Sequence, residues 1–356
     1  MPKLVLCLLI AFLVSFLLTP VVMKIGIRIG AVDKPNERKV HTRIITRIGG
    51  VAIFAGFMIA SLLMQELNQQ VWGLLISGTM VMILGLVDDL RGISPKVKLL
   101  GQIIAALVLV SFGVQVDFIT NPFNGGIISL GLFSIPVTVI WVIGMSNAVN
   151  LIDGLDGLAA GVSVIAAVTL AVVAWTQGQF ATVYLALFLA AAALGFLRYN
   201  FNPAKLFMGD CGSLFLGYIL GALAVMGLSK GATVISLLIP VIILGIPILD
   251  TFFAIIRRFT NKKPIFEADK GHLHHRLLDM GLSHKQTVVV IYAITFLLGS
   301  SAVLLTMLTT AQSVLILIGI SVLILVGADR IGIITGKSVS RRLQGNNKGE
   351  THSIGS

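Results

Sequence analysis

"LFSIPVTVIWVIGMSNAVNLIDGLDGLAAGVSVIAAVTLAVVAWT", residues 132–176, holds two apolar runs, 132–149 and 157–176, joined by a short polar stretch. Each run approaches the ~20 helical residues needed to cross a hydrocarbon core of about 30 Å. The runs are continuous rather than alternating, which excludes barrel strands. Between and beside them, Asn147, Asn150, Asp153 and Asp156 fall within ten residues of a chain that is only 12% charged. An Asp at mid-bilayer costs about 2.5–3.5 kcal/mol, so the two carboxylates belong at a water boundary. The stretch reads as two membrane helices meeting at a polar end.

The same pattern runs the length of the chain. Of 356 residues, 56% are hydrophobic, and the mean hydropathy is +1.00. No soluble core hides that much apolar surface. Eleven candidate spans emerge, at about 3–23, 48–65, 71–87, 99–114, 132–149, 157–176, 180–197, 211–228, 232–256, 287–309 and 311–327. The expected fold is all-α, a polytopic membrane helix bundle of about 11 transmembrane helices. The first run lacks a small-residue cleavage site and is read as a retained span. With Met1 outside, 24 of the 26 Lys and Arg fall on one side. The positive-inside rule makes that side the cytosol, with the C-terminus also inside. The net charge of +11 then reflects topology and anionic lipid head groups rather than nucleic acid. Cys7 and Cys211 lie at opposite ends of their spans and imply neither a disulfide nor a cysteine metal site. Residues 115–131, with β-branched flanks around Asn124-Gly125-Gly126, read as an outer hairpin. Residues 345–356 are polar and Gly/Ser-rich, a disordered tail by composition in which His352 carries no function.

The chemistry-bearing residues gather on the inner side. Asn147, Asn150, Asp153 and Asp156 recur at i, i+3, one slowly rotating helix face. Gly154 and Gly157 let the backbone loosen there. Turn formation and capping would use the same residue types. Asp88 and Asp89 end the third span; adjacent carboxylates resist joint ionisation unless a cation intervenes. They suit a proton acceptor or a metal-bound site, or equally a solvated helix end beside Arg91. Asp210 precedes the eighth span, where it could act as an N-cap. In 269–281, "DKGHLHHRLLDMG", a helix would put His272, His275 and Arg276 on one face and His274 elsewhere. The spacing is unlike a zinc site; cationic donors on one face suit an anionic ligand such as a pyrophosphate. Oxygen donors favour magnesium or manganese. Carboxylates, a hard cation and basic side chains together are the requirements of phosphoryl transfer.

These segments, from "DKPNERKVHTRIITRIGG" (33–50) through Asp88-Asp89, "KLLGQ" (98–102), "NAVNLIDGLDGL" (147–158) and "FMGDCGS" (207–213) to "HLHHRL" (272–277), resemble those of the polyprenyl-phosphate N-acetylhexosamine-1-phosphate transferases. The resemblance covers nearly the whole chain. It implies a bundle of ten or eleven helices with a cleft open to the cytosol, transfer of a sugar-1-phosphate from a UDP-sugar to an undecaprenyl-type phosphate, release of UMP, and inhibition by tunicamycin. Residues 1–328 would form a single integral membrane catalytic domain and 329–356 a cytosolic tail, in the plasma membrane. By position, Asp210 and Asn150 resemble the magnesium ligands, with manganese as the other candidate ion. Asp88 resembles the base for the lipid phosphate, and Asp89, Asp153 and Asp156 complete the expected catalytic set. Lys98, Arg47 and Asn147, with His272, His275 and Arg276, form the expected substrate-binding set.

Gly92 stands where the peptidoglycan branch of the family carries a Lys, and the His segment is H-L-H-H-R rather than three consecutive His. That pattern resembles the branch that uses UDP-N-acetylglucosamine and starts teichoic-acid and O-antigen synthesis. The expected partners are UDP-N-acetylglucosamine, undecaprenyl phosphate, membrane lipids and a second copy of the chain in a homodimer, with no nucleic acid. The alternatives are a phospho-N-acetylmuramoyl-pentapeptide transferase or, in a different class, a transporter. Transporters place ionisable groups at the midplane and often carry inverted repeats; here the polar groups stop at the inner third.

Overall fold

The computed structural model describes residues 2–33, 45–64, 68–120, 127–227, 234–260 and 271–331. Thirteen α-helices make up most of these residues: α1 (Pro2–Arg28), α2 (Gly50–Leu63), α3 (Gln69–Arg91), α4 (Pro95–Ser111), α5 (Ser134–Ile152), α6 (Leu158–Thr176), α7 (Phe180–Asn200), α8 (Asp210–Met226), α9 (Val234–Ile243), α10 (Gly245–Thr260), α11 (Leu273–Asp279), α12 (His284–Leu305) and α13 (Thr310–Ile331). The all-α expectation holds. Seven described helices are long and apolar enough to cross a membrane. Large apolar side chains also point outward, as at Leu6, Leu9, Leu13 and Leu17 of α1, while Cys7, Ala11 and Ser15 of the same helix are buried. Such an apolar exterior calls for lipid rather than water.

At the centre stands α8. Every residue from Cys211 to Val225 is buried, because α2, α3, α5, α6 and α7 surround it. Its 17 residues rise only about 26 Å, which suffices for a helix that meets protein rather than lipid along its length. Close approach requires small residues: a Cβ on Gly50 of α2 would run into the Gly212 backbone of α8. The outer shell is looser. α1 packs on α7 and α2, α12 on α6 and α9, and α13 touches α9.

Ten of the eleven expected spans appear as single helices, and one expectation is corrected. The run 232–256 is two helices, α9 and α10, interrupted at Leu244. Pro247 lacks the N–H that the Ile243 carbonyl needs from four residues on, so the ladder breaks there. α10 buries Asp250, Phe253, Ala254 and Arg257 on one side and exposes Phe252, Ile255 and Phe259 on the other.

Among the described residues, two short antiparallel strand pairs complete the fold. β3 (Phe118–Thr120) pairs antiparallel with β4 (Ile127–Ser129), Ile119 opposite Ile128, as expected; the Asn124-Gly125-Gly126 turn lies outside the described residues. β1 (Val32–Asp33) pairs with β2 (Ile45–Thr46); most of the motif between them, 34–44, is likewise outside, as are Lys230 and the tail from 332 on. β2 also bridges to Leu206, and Phe207 N–H donates to the Thr46 carbonyl at 2.8 Å. That contact seats residues 45–50 beside the start of α8.

Candidate active site

The polar residues converge at one end of the bundle, where α3 and α5 end and α4, α8 and α12 begin. A cleft of about 1030 Å³ opens there, lined among others by Arg47, Asp89, Asn150, Asp153, Asp156, Phe207, Asp210, His275 and His284.

The start of α8 explains the division of labour among the carboxylates. Asp210 is the first helical residue, and Gly209 before it offers no side-chain cap. A helix start leaves backbone N–H groups without intrahelical acceptors. Asp89 supplies them from α3: its Oδ1 accepts from Asp210 N–H at 3.0 Å and its Oδ2 from Cys211 N–H at 2.9 Å. Gly209 makes this approach possible. Its φ is +73°, and a Cβ there would strike the Arg47 carbonyl and Asp89 Oδ2. Arg47 in turn donates from Nη2 to the Asp89 carbonyl at 2.5 Å. So the N-cap reading of Asp210 is corrected: the cap is Asp89, and the Asp210 carboxylate is left for other work.

That carboxylate meets Lys98 and Asn150. Lys98, in the first turn of α4, pairs through Nζ with both Asp88 and Asp210. Ser94 caps α4, with Pro95 at the first helical position, and this fixes where Lys98 starts its reach. Asp88 is held from the other side, its Oδ1 accepting from Ile93 N–H at 2.7 Å. Asn150, near the end of α5, donates to Asp210 Oδ1 at 3.1 Å and to Ser213 Oγ at 2.8 Å. Two carboxylates thus share one ammonium, the cation that adjacent acids require.

After α5 comes the turn 153–157, fixed at nearly every residue. Asp156 Oδ2 accepts from Asn202 Nδ2 at 3.1 Å and Ala204 N–H at 3.0 Å. Asp156 N–H donates to His284 Nε2 at 2.9 Å, and Gly157 N–H to Asn200 Oδ1 at 3.1 Å. Asp153 is different: among the described residues its carboxylate has no hydrogen-bond partner, and it lines the cleft. Burial, then the charges of Asp210, Asp89 and Asp156, push its pKa up to about 7. A carboxylate poised there and facing a cleft is a functional candidate.

The His segment departs from its expected geometry. α11 begins at Leu273, so His272 is the residue before the helix and not on its face. Its Nδ1 meets Asp250 Oδ2 at 2.8 Å, while Asp250 Oδ1 accepts from Leu273 N–H at 2.8 Å. His275 lines the cleft, whereas His272 and Arg276 are buried away from it. His274 does not point elsewhere: it stacks on His272, with ring centroids 5.8 Å apart, and sits against Gly154, where a Cβ would meet its Nε2 at 2.5 Å. Burial foremost, then the neighbouring His275, lowers the His274 pKa to about 4, so the ring packs uncharged.

Asn147 also stays out of the cleft. It donates to Gln102 Oε1 at 3.0 Å and to the Ile143 carbonyl at 2.8 Å, joining α4 to α5. Conversely, sequence reading assigned no site role to Asp250, His284, Asn200 and Asn202. An Asp inside an apolar run signals Asp250. "SHKQ" (283–286) signals His284, since it carries the capping-box pattern that the structure realises at the start of α12.

Comparison with known proteins gives concordant results. Residues 71–228, from α3 through α8, match the model of glycosyl transferase family 4. A protein of Bacillus subtilis, 46% identical over 92% of this chain and 93% of its own, is named a probable undecaprenyl-phosphate N-acetylglucosaminyl 1-phosphate transferase. A decaprenyl-phosphate N-acetylglucosaminephosphotransferase of Mycolicibacterium smegmatis is 37% identical over 79% of this chain and 77% of its own. A phospho-N-acetylmuramoyl-pentapeptide-transferase of Halalkalibacterium halodurans is 30% identical over 85% and 97%. With this match spanning the helices that carry Asp88, Lys98, Asn150 and Asp210, the chain belongs to glycosyl transferase family 4, the polyprenyl-phosphate N-acetylhexosamine-1-phosphate transferases.

Proposed function

We propose that this enzyme transfers N-acetylglucosamine-1-phosphate from UDP-N-acetylglucosamine to undecaprenyl phosphate and releases UMP, as the first membrane step of a cell-wall polymer such as teichoic acid. The observation that carries the reading is the ammonium of Lys98 shared by Asp88 and Asp210, with Asp210 on the wall of a large cleft at one end of a membrane helix bundle. In net terms an oxygen of the lipid phosphate bonds to the sugar-bearing phosphorus. The bond from that phosphorus to the bridging oxygen breaks, and UMP leaves with that oxygen. One phosphoanhydride replaces another, so the protein's task is positioning and charge neutralisation.

The residues divide that task. Asp88 is the base: its Oδ1 is held by Ile93 N–H and its Oδ2 by the Lys98 ammonium, and as Lys98 turns to the substrate phosphates Oδ2 takes the last proton of the lipid phosphate, whose second pKa is about 6. Lys98 neutralises phosphate charge. Asp89 positions Asp210 by capping α8. Arg47 and His275, both on the cleft wall, bind the sugar nucleotide, whereas His272 and Arg276 hold the segment that carries His275. Asp156 orders the turn that presents Asp153.

A divalent cation fits this donor set. Among the described residues no three His, Cys, Asp or Glu side chains form a ligand cage. Magnesium does not need one: it keeps waters and binds through one or two carboxylates plus substrate phosphates. Asp210 and Asn150 would hold magnesium or manganese, and the ion would supply neutralisation of the diphosphate.

Gly92, which ends α3 at a φ of 65°, and the H-L-H-H-R segment support the N-acetylglucosamine donor. So does the name of the relative at 46% identity, against 30% for the muramoyl-pentapeptide enzyme. The cleft faces the cytosol of the plasma membrane, because the span order of the sequence assigns 24 of the 26 Lys and Arg to the side on which Asp88, Lys98 and Asp210 lie. Residues 1–328 act as one catalytic domain with 329–356 as its tail. The test is UMP release by purified protein, expected only when UDP-N-acetylglucosamine, undecaprenyl phosphate and magnesium are all present. Turnover of the muramyl-pentapeptide nucleotide alone would overturn the donor, and no turnover with any UDP-sugar would overturn the reaction.

A further inference from the structure

We infer that His284 is a binding residue for the sugar nucleotide, presenting a neutral ring Nδ1–H to one of its acceptor oxygens while its Nε2 accepts from the backbone of Asp156. The inference rests on the donor reading above. Three observations carry it. The His284 ring lines the same cleft as Arg47, Asp153 and His275. Its Nε2 lies 2.9 Å from Asp156 N–H; a backbone N–H can only donate, so Nε2 carries the lone pair and the proton sits on Nδ1. The helix that carries the ring is held to the turn, because α12 grips it at a second point. Tyr292, two helical turns on, donates from its hydroxyl to the Gly157 carbonyl at 2.5 Å, and the Ser283 capping box fixes where the helix starts.

A neutral donor has a specific use there. Arg47 and Lys205 already bring positive charge to the cleft wall, and Asp89, Asp153, Asp156 and Asp210 bring negative charge. An uncharged N–H adds directionality toward one oxygen without changing that balance. The oxygen belongs to the nucleotide phosphates or to the sugar with its acetyl group; UMP separates the two sources.

The experiment uses full-length protein in lipid nanodiscs. Steady-state UMP release gives KM for the sugar nucleotide and for the lipid phosphate in His284→Ala, His284→Asn and His284→Gln. His284→Ala should raise KM for UDP-N-acetylglucosamine about tenfold, the scale of one lost hydrogen bond, and leave KM for the lipid within twofold. Asn places an N–H near the Nδ1 position and should restore most of the loss. Gln can keep accepting from Asp156 N–H but lacks that donor, and should not. UMP inhibition weakening in step with KM assigns the oxygen to the nucleotide; unchanged UMP inhibition assigns it to the sugar. In ¹⁵N spectra of the wild type, a neutral Nδ1–H histidine should appear and vanish in His284→Gln, a readout independent of how the Ala variant folds. A KM unmoved in His284→Ala, or restored by Gln and not by Asn, overturns the role of His284. A wild-type protein that turns over no UDP-sugar overturns instead the functional reading beneath it.

Discussion

Asp88, Asp89, Asp153 and Asp210 are chemically identical side chains with four different tasks, and their partners set the difference. Asp89 spends both oxygens on backbone N–H groups, Asp88 and Asp210 share Lys98, and Asp153 faces the cleft. Adjacency in sequence says nothing of this, because neighbours on a helix point about 100° apart. So the candidate list was legible, and its internal roles were not. Asp210→Asn should cut UMP release by at least ~10²-fold, the scale of a lost catalytic group, with an unchanged Tm in detergent. Asp89→Ala should behave oppositely, lowering Tm together with activity, since losing an N-cap costs about 1 kcal/mol. Asp153 carries a pH signature. Its folded pKa of about 7 lies above the ordinary carboxylate value of 3.8, so the folded state binds the extra proton between those values, and ionising the group costs stability as pH rises through that window. In chelator, Asp153→Asn should therefore raise Tm, by an increment that grows from pH 4 to 7 and then levels. An increment that shrinks over that range would contradict the assignment.

At the scale of the element, the site depends on how tightly helices approach α8. Gly85 of α3 faces the Asp210 carbonyl, which an added Cβ would contact at 2.5 Å. Alanine is the better helix former by about 1 kcal/mol, so Gly85→Ala would stabilise α3 if space were free. The clash decides the sign: we expect a lower Tm and at least a tenfold loss of turnover, checked by thermal unfolding and UMP release on one preparation. Apolar run length revealed ten of the helices because a helix needs only a continuous apolar stretch to enter lipid. It failed at 232–256 because Pro240 and Pro247 are apolar and leave hydropathy unbroken while Pro247 removes a ladder donor. It failed again at α11, whose seven residues are too few for helical spacing to show which side chains face the cleft; Asp250, from α10, decides that from outside.

For the whole molecule, Arg91, at the end of α3, and Lys98, in the first turn of α4, stand at the end where the cleft opens; the sequence puts them on the side with 24 of the 26 Lys and Arg, the proposed cytosolic side. Both native thiols are buried, so introduced cysteines report orientation cleanly. In intact cells, an impermeant maleimide should label Lys230→Cys, and should label Arg91→Cys only after the membrane is opened. The reverse pattern would place the cleft outside and end the cytosolic assignment.

The latch between Asp89 and the start of α8 also has a genetic consequence. It grips main-chain N–H groups, which every residue but proline possesses, so codon 210 is free to lose its chemistry without loosening the helix. Most alleles at 210 should therefore yield a stable but inert protein, whereas alleles at 89 should yield scarce protein. Proline at 210 is the informative exception. The first position of a helix ordinarily welcomes it, yet here it would delete the N–H that Asp89 Oδ1 holds. A saturation library scored separately for abundance and activity should show proline as the one substitution at 210 that fails on both.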